Sequence, residues 1–374
     1  VTDTNLTDEQ VQVFATLISK MRALQIDASP LPTVTTGPMI SVYRFEPKGA
    51  TRVTTIENLA NDFAVALGCE AVLVKRMPGD SAVGVFVPNK VRTGVTFLQT
   101  ISNVWPLRDK LAIPLNLGIT QIGDPLIEDL ATLPHLLIAG STGTGKSTLL
   151  TTLITTIIAV KSPTSVRLVL SDTSGVEFGH FIGTPHLEFE PSTNVYRTLE
   201  HIAWLAEETD VRMKKLQQRS CRNITEYNLN VSERDKLPYI VFIIDEIADL
   251  MLHKHKNEDE KVSVSKLFEE RLCLLVGRCR KTGIHVIAST QRPSVNIVTG
   301  SIKANFPARL TLKLPSAVDS RTVLDTEGAE HLLVLGDMLY KSPLRPELIR
   351  AHAPITRNSE ILATIEAIVR SNQQ

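Results

Sequence analysis

An apolar strand pattern at His135–Ala139 runs straight into Gly140-Ser141-Thr142-Gly143-Thr144-Gly145-Lys146-Ser147, and an apolar helical pattern follows over Lys146–Val160. This is G-x-x-x-x-G-K-[ST] in the only setting where it has a mechanism: a strand, a glycine-rich turn and a helix N-terminus. The glycines let the backbone turn its N–H groups towards phosphate oxygens, and the helix end adds partial positive charge. Gly143, Thr144, Gly145, Lys146, Ser147 and Thr148 are therefore the expected nucleotide cradle. Lys146 is placed for the β- and γ-phosphates of ATP, and the Ser147 hydroxyl for Mg²⁺.

A P-loop demands a particular kind of sheet around it. Short apolar runs recur at 167–171, Tyr239–Ile244, 284–289 and 309–314, with helical patterns at Lys146–Val160, 195–216 and 266–281 between them. Runs without polar alternation suit central strands of a parallel sheet covered on both faces. The expectation is a doubly wound α/β domain. Tyr239–Ile244 ends in Asp245 and Glu246. Alone this suits a solvated acidic turn; beside a P-loop it suits a Walker B strand. Asp245 then serves the Mg²⁺ water shell and Glu246 polarises the attacking water. The run 284–289 ends in Thr290-Gln291-Arg292, which makes Gln291 a candidate γ-phosphate sensor, although a plain strand-ending turn has the same spacing. Arg278 and Arg280 precede that strand. The helix dipole favours basic residues there; a trans-acting arginine is the sharper alternative.

Upstream, Phe14, Leu17, Ile18, Met21 and Leu24 share one face of a helix over 8–26, with Thr7 and Gln10 spaced as a capping box. The proline- and glycine-bearing stretch 29–38 reads as a linker. Strand patterns at 40–45, 71–76 and 83–87 and helical ones at 56–67 and 93–101 follow. The expected division is 1–36 (helix and linker), 37–112 (small α+β domain), 113–352 (ATPase domain) and 353–374 (C-terminal helix).

Charge limits the partners. Forty Lys and Arg balance forty Asp and Glu, so binding of nucleic acid by bulk charge is excluded while a local basic groove is not. Residues 212–222 carry five basic residues and no acid (Arg212, Lys214, Lys215, Arg219, Arg222), and 292–317 carry four and no acid, Lys303 among them. Either stretch suits phosphates or, more commonly, a solvated face. The run 253–261 reads as a solvated loop, with His253 and His255 as surface histidines and His285 as a core histidine. Four cysteines without a Cys-x-x-Cys pair indicate neither a disulfide framework nor a zinc site and fit a reducing, cytoplasmic setting. The first eight residues are not a signal sequence. The apolar run 149–160 carries four threonines and falls short of the ~20 residues of a membrane span.

Several stretches in order resemble the FtsK/SpoIIIE DNA translocases: 133–147, Gly283-Ile-His-Val-Ile-Ala-Ser-Thr-Gln-Arg-Pro-Ser294, Ile302-Lys-Ala-Asn305, 319–325 and Gly336-Asp-Met-Leu-Tyr340. Arg222-Asn-Ile, Tyr227-Asn228, Gly37-Pro38, Tyr43-Arg44-Phe45 and Pro88-Asn-Lys90 extend it, so that 37–352 are covered. The resemblance implies a small α domain followed by a RecA-like β domain, and a homo-hexameric ring. ATP would be held between subunits and double-stranded DNA threaded through the centre. It also implies that Arg280 is the finger supplied to a neighbour. The chain departs from the family pattern at Asp172-Thr173-Ser174, where Asp-Pro-Lys is usual, at Ala317, where lysine is common, and in a longer loop after Walker B. No winged-helix module follows, so sequence-guided loading is not expected. These departures suggest a mobile-element or phage-borne relative. Protein-secretion ATPases and viral or mobile-element packaging motors of the same fold are the alternatives.

Overall fold

The computed structural model describes the chain except residues 1, 4–5, 70, 78–80, 92–93, 254–262 and 373–374. It divides into two compact units: residues 1–95 with 119–125, and residues 96–118 with 126–374.

In the first unit, β1 (Thr2–Asp3), α1 (Asp8–Ala23), β2 (Ala28–Thr36), β3 (Ile40–Pro47), α2 (Val53–Glu57), α3 (Ala60–Leu67), β4 (Leu73–Arg76) and β5 (Val83–Pro88) follow in order. The strands form one antiparallel sheet, β1-β2-β3-β5-β4. The capping box of α1 forms: Gln10 N–H donates to Thr7 Oγ1 at 3.3 Å, and Thr7 N–H to Gln10 Oε1 at 2.9 Å. Such a cap stabilises by about 1 kcal/mol. Phe14, Leu17 and Met21 are buried, with Phe14 edge-on to Tyr43 at 4.9 Å. Leu24 is the exposed C-cap rather than part of that face.

The stretch expected as a linker is a strand. Residues 29–36 belong to β2, and its prolines fit for a local reason. Among the described residues β1 pairs with β2 at Val34 and Thr35 and not at Pro30 or Pro32, and a register shift falls between Leu31 and Val34. A missing N–H costs least at an edge and at a bulge.

The second unit holds α4 (Phe97–Val104), all but the last two residues of β6 (Pro114–Thr120), all but the first of β7 (Pro125–Asp129), β8 (His135–Ala139), α5 (Lys146–Val160), β9 (Val166–Ser171), α6 (Val195–Gln218), α7 (Ile224–Leu229), β10 (Tyr239–Ile244), α8 (Ile247–Met251), α9 (Val264–Arg278), β11 (Ile284–Thr290), α10 (Gly300–Asn305), β12 (Ala308–Leu312), α11 (Ala317–Leu324), β13 (Asp337–Lys341), β14 (Leu348–His352) and α12 (Asn358–Asn372). Helix α4, expected with the first domain, groups with this unit; its Thr100 accepts a buried hydrogen bond from Asn116 of β6 at 2.7 Å.

The sheet has nine strands in the order β7-β6-β14-β13-β12-β8-β11-β10-β9. The five strands from β12 to β9 run parallel, as expected. The whole sheet, however, is mixed, because β13 and β14 add on antiparallel. Those two strands carry Asp337, Lys341 and Arg350 and lack a continuous apolar run, so periodicity did not mark them.

The central strands alternate between two cores. Ile240, Phe242 and Ile244 enter the core shared with α6, α8 and α9, whereas Val241 and Ile243 enter the one shared with α5 and α12. Two-sided burial explains why these strands read as unbroken apolar runs. The threonines of α5 beyond its first turn, Thr151, Thr152, Thr155 and Thr156, are buried too, and the first three donate back to helix carbonyls. Among the described residues no helix is long and apolar enough to cross a membrane.

Candidate nucleotide site

Parallel neighbours place three loops side by side. β11 lies between β8 and β10, so the turns after all three emerge at one edge of the sheet. The Gly140–Ser147 turn is strapped there at its start: Gly140 N–H donates to Thr290 O (3.2 Å) and Ser141 N–H to Lys313 O (3.1 Å). Gly143 (φ +78°) and Gly145 (φ +105°) take backbone angles that disfavour any side chain. Gly145 is the N-cap of α5 and provides no side-chain cap, so the first N–H groups, at Lys146, Ser147 and Thr148, are left for a ligand.

Lys146 is buried, with Nζ 2.7 Å from Asp245 Oδ1, 2.8 Å from Asp245 O and 3.1 Å from Ser289 Oγ. Ser289 also donates to Asp245 O, and Asp245 N–H donates to Ser171 O at 3.0 Å. Glu246 accepts from Gln291 N–H (2.7 Å) and Ala248 N–H (3.0 Å). Burial raises its carboxyl above the ordinary glutamate value, opposed by hydrogen bonds from Thr290, Gln291 and Ala248 and by the charge of Lys146. Gln291 Oε1 accepts from Thr142 Oγ1 at 2.6 Å, so the turn after β11 links the P-loop to Glu246 of Walker B. Lys146, the adjacent pair Asp245 and Glu246, and Gln291, from three segments far apart in sequence, thus meet at one place.

The structure adds residues that spacing did not single out. Ser289 bridges Lys146 and Asp245, and its signal was a small polar residue at a strand end. Glu177, in the loop after β9, accepts from Ser147 Oγ at 2.9 Å. The oxygen donors gathered here, the Ser147 hydroxyl and the Asp245 and Glu246 carboxylates, are the hard set that Mg²⁺ takes, so these residues fit that ion.

Arg280 stands elsewhere. It is exposed in the 3₁₀ turn Cys279–Thr282 that precedes β11. The strand between it and Gln291 spans about 20 Å at ~3.3 Å per residue. It therefore does not meet its own chain's P-loop. With Arg222 and Lys281 it lines a recess of about 630 Å³. Arg278 is accounted for by an ion pair to Asp210 at 2.6 Å.

The basic candidates separate. Arg212 is buried and spends its guanidinium on Glu208 (2.7 Å), Pro238 O (2.7 Å) and Thr282 O (3.1 Å). It fastens α6 to the segments entering β10 and β11, so its assignment as a DNA contact is corrected. Lys303 is 2.5 Å from Asp325, which also pairs with Arg309 and Lys341. Burial would raise the Asp325 carboxyl, but hydrogen bonds from those three cations hold it well below the ordinary value. Lys303 thus offers a partly neutralised charge. Lys214, Lys215 and Arg219 are exposed at the C-terminal end of α6, near the edge that carries Arg280.

His285 is buried in β11, with Nδ1 2.8 Å from Pro134 O, and burial lowers its pKa to about 4. The run 254–261, with His255, lies outside the described residues. No group of three or more metal-binding side chains (His, Cys, Asp or Glu) occurs among the described ones.

A profile of the FtsK/SpoIIIE family matches residues 103–295, and one of the FtsK alpha domain matches residues 2–89. The second match begins upstream of residue 37, where the sequence resemblance began, and takes in α1 and β2. The DNA translocase FtsK of Borreliella burgdorferi is 35% identical over 367 residues, 96% of this chain and 45% of that protein. That of Treponema pallidum is 38% identical over 340 residues, 90% of this chain and 41% of that protein. The chain thus spans less than half the length of these relatives. Among solved structures, the pCW3 conjugation coupling protein TcpA superposes with a TM-score of 0.67 at 20% identity, over 96% of this chain and 99% of that one. The cytoplasmic domain of the Thermomonospora curvata Type VII secretion ATPase EccC gives 0.61 at 20% identity, over 74% of this chain and 34% of that one. At such identities the likeness is one of fold.

Proposed function

The chain belongs to the FtsK/SpoIIIE family, and from that premise we propose that it is an ATPase that moves double-stranded DNA through a homo-hexameric ring of its own copies. The observation that carries the reading is the meeting of Lys146, Asp245, Glu246 and Gln291 at one sheet edge, with Arg280 about 20 Å away at the other. A subunit with its catalytic acids at one edge and its exposed arginine at the opposite one suits a head-to-tail ring, in which each arginine serves the next nucleotide.

In this reading the backbone N–H groups of residues 143–148 receive the phosphates of ATP. Lys146 exchanges Asp245 for the β- and γ-phosphates. Mg²⁺, held by Ser147 and in part through water by Asp245, would offset phosphate charge. Glu246, fixed by two backbone donors, takes up a proton from the attacking water, and Gln291 reports on the γ-phosphate. The first unit corresponds to the family's α domain and the second to its RecA-like β domain. Lys214, Lys215 and Arg219 are the exposed cations offered to DNA, with Lys303 second to them. Such a substrate places the motor in the cytoplasm.

The two relatives above, at 35% and 38% identity, are named DNA translocases, whereas the secretion ATPase shares only the fold. This favours DNA over a polypeptide substrate; packaging or transfer of element DNA would use the same mechanism. Triplex displacement on linear DNA tests it. Wild type should displace the third strand and Lys146→Ala should not. Displacement-incompetent wild type without DNA-stimulated ATPase would sink the proposal.

A further inference from the structure

The loop between β9 and α6 has a feature that the motor reading does not use. Asp172, buried at 1% exposure, gathers the loop onto its carboxylate. Oδ1 accepts from Ser174 N–H (3.0 Å) and Ser174 Oγ (2.5 Å); Oδ2 accepts from Glu177 N–H (2.6 Å) and Phe178 N–H (3.3 Å). Phe178 is fully buried, and Thr173 Oγ1 donates to Asp249 of α8 at 2.7 Å. The first seven residues of the loop, 172–178, are thus pinned from Thr173 to Phe178, and they deliver the Glu177 carboxylate to within 2.9 Å of Ser147 Oγ.

A serine hydroxyl has one proton and two lone pairs, and an ionised carboxylate can only accept. The Ser147 proton therefore points at Glu177, and both lone pairs are left for a cation. We propose that Glu177 is the positioning residue for the P-loop serine: it holds the proton of Ser147 away from the cation site and makes Oγ a better donor to Mg²⁺. Carboxylates that hydrogen-bond a metal ligand from behind commonly account for 10–100-fold in metal affinity. The departure from Asp-Pro-Lys at 172–174 bears on how the loop is built: Ser174 contributes two of the bonds that fold it around Asp172.

The proposal rests on residues 140–148 being an Mg²⁺-nucleotide site. Its test is an Mg²⁺ titration of fluorescent ADP binding to the full chain, with a parallel measurement in EDTA. Glu177→Gln should raise the Mg²⁺ concentration for half-maximal effect about tenfold and leave affinity in EDTA within about twofold. An unchanged Mg²⁺ requirement would overturn it. So would an equal loss with and without Mg²⁺, since that pattern belongs to a loop that merely shapes the pocket. If Glu177→Gln does not fold, Glu177→Asp, which withdraws the charge by one methylene, carries the same comparison. Wild type that bound no nucleotide at all would defeat the site assignment rather than the role of Glu177.

Discussion

Lys146 and Asp245 form a buried ion pair, and each leaves the other uncompensated when removed. Truncating one partner of such a pair costs about 3–5 kcal/mol. Lys146→Ala is therefore expected to abolish ATP hydrolysis and also to lower stability in urea unfolding. Lys146→Met with Asp245→Leu should recover most of that stability while staying inactive. Equal stability of wild type and Lys146→Ala would show that the pair is not formed in solution. Glu246 gives a second residue-scale expectation. A base must be ionised to act, and burial raises the Glu246 carboxyl above its ordinary value. As pH falls, kcat should decline through that raised value, so the acid limb should lie above the ordinary glutamate range of about 4.3. A limb at or below it would exclude Glu246 as the group titrating in kcat. Both residues were legible in the sequence, because an acidic pair ending an apolar run has few other uses beside a P-loop. Glu177 was not: a lone glutamate in a polar loop carries no pattern, and only the folding of the loop around Asp172 brings it to Ser147.

At the scale of elements, α6 separates two kinds of basic residue that look alike in sequence. Arg212 faces inward and holds the entries to β10 and β11; Lys214, Lys215 and Arg219 face solvent. Arg212→Ala should destabilise the fold by about 1–3 kcal/mol, since it leaves buried acceptors unpaired. It should not alter the salt dependence of DNA binding by the folded fraction. Replacing Lys214, Lys215 and Arg219 together by alanine should flatten the slope of log K against log salt by about 0.9 per lost phosphate contact. An unchanged slope with a weakened ring would assign these residues to the subunit contact instead. A run of basic residues says nothing about facing, because helical geometry turns each residue by 100° and only packing chooses the inner side. The proline-bearing β2 was missed for a related reason. Pro30 and Pro32 argue against a central strand, and sequence does not say which strand will be an edge.

For the whole molecule, the distance between Arg280 and its own P-loop has a direct consequence. If the arginine acts in trans, Lys146→Ala and Arg280→Ala subunits complement one another: the first supplies an intact arginine to the second's intact P-loop. A one-to-one mixture of these inactive variants should regain roughly a quarter of wild-type ATPase once subunits exchange in a head-to-tail ring. No recovery would remove the trans assignment. The sequence by itself determined the strand–turn–helix of the P-loop, the two-sided strands around it and the acids of Walker B. Each rests on local pattern: glycine freedom, unbroken apolar runs and charge at a strand end. The tertiary structure decided the rest. Strand order β12-β8-β11-β10-β9 put Gln291 between the P-loop and Glu246. Packing buried Arg212 and paired Lys303, and two polar-looking strands completed a mixed sheet. These outcomes depend on partners more than a hundred residues away in several cases, and no local periodicity encodes which distant residue will arrive.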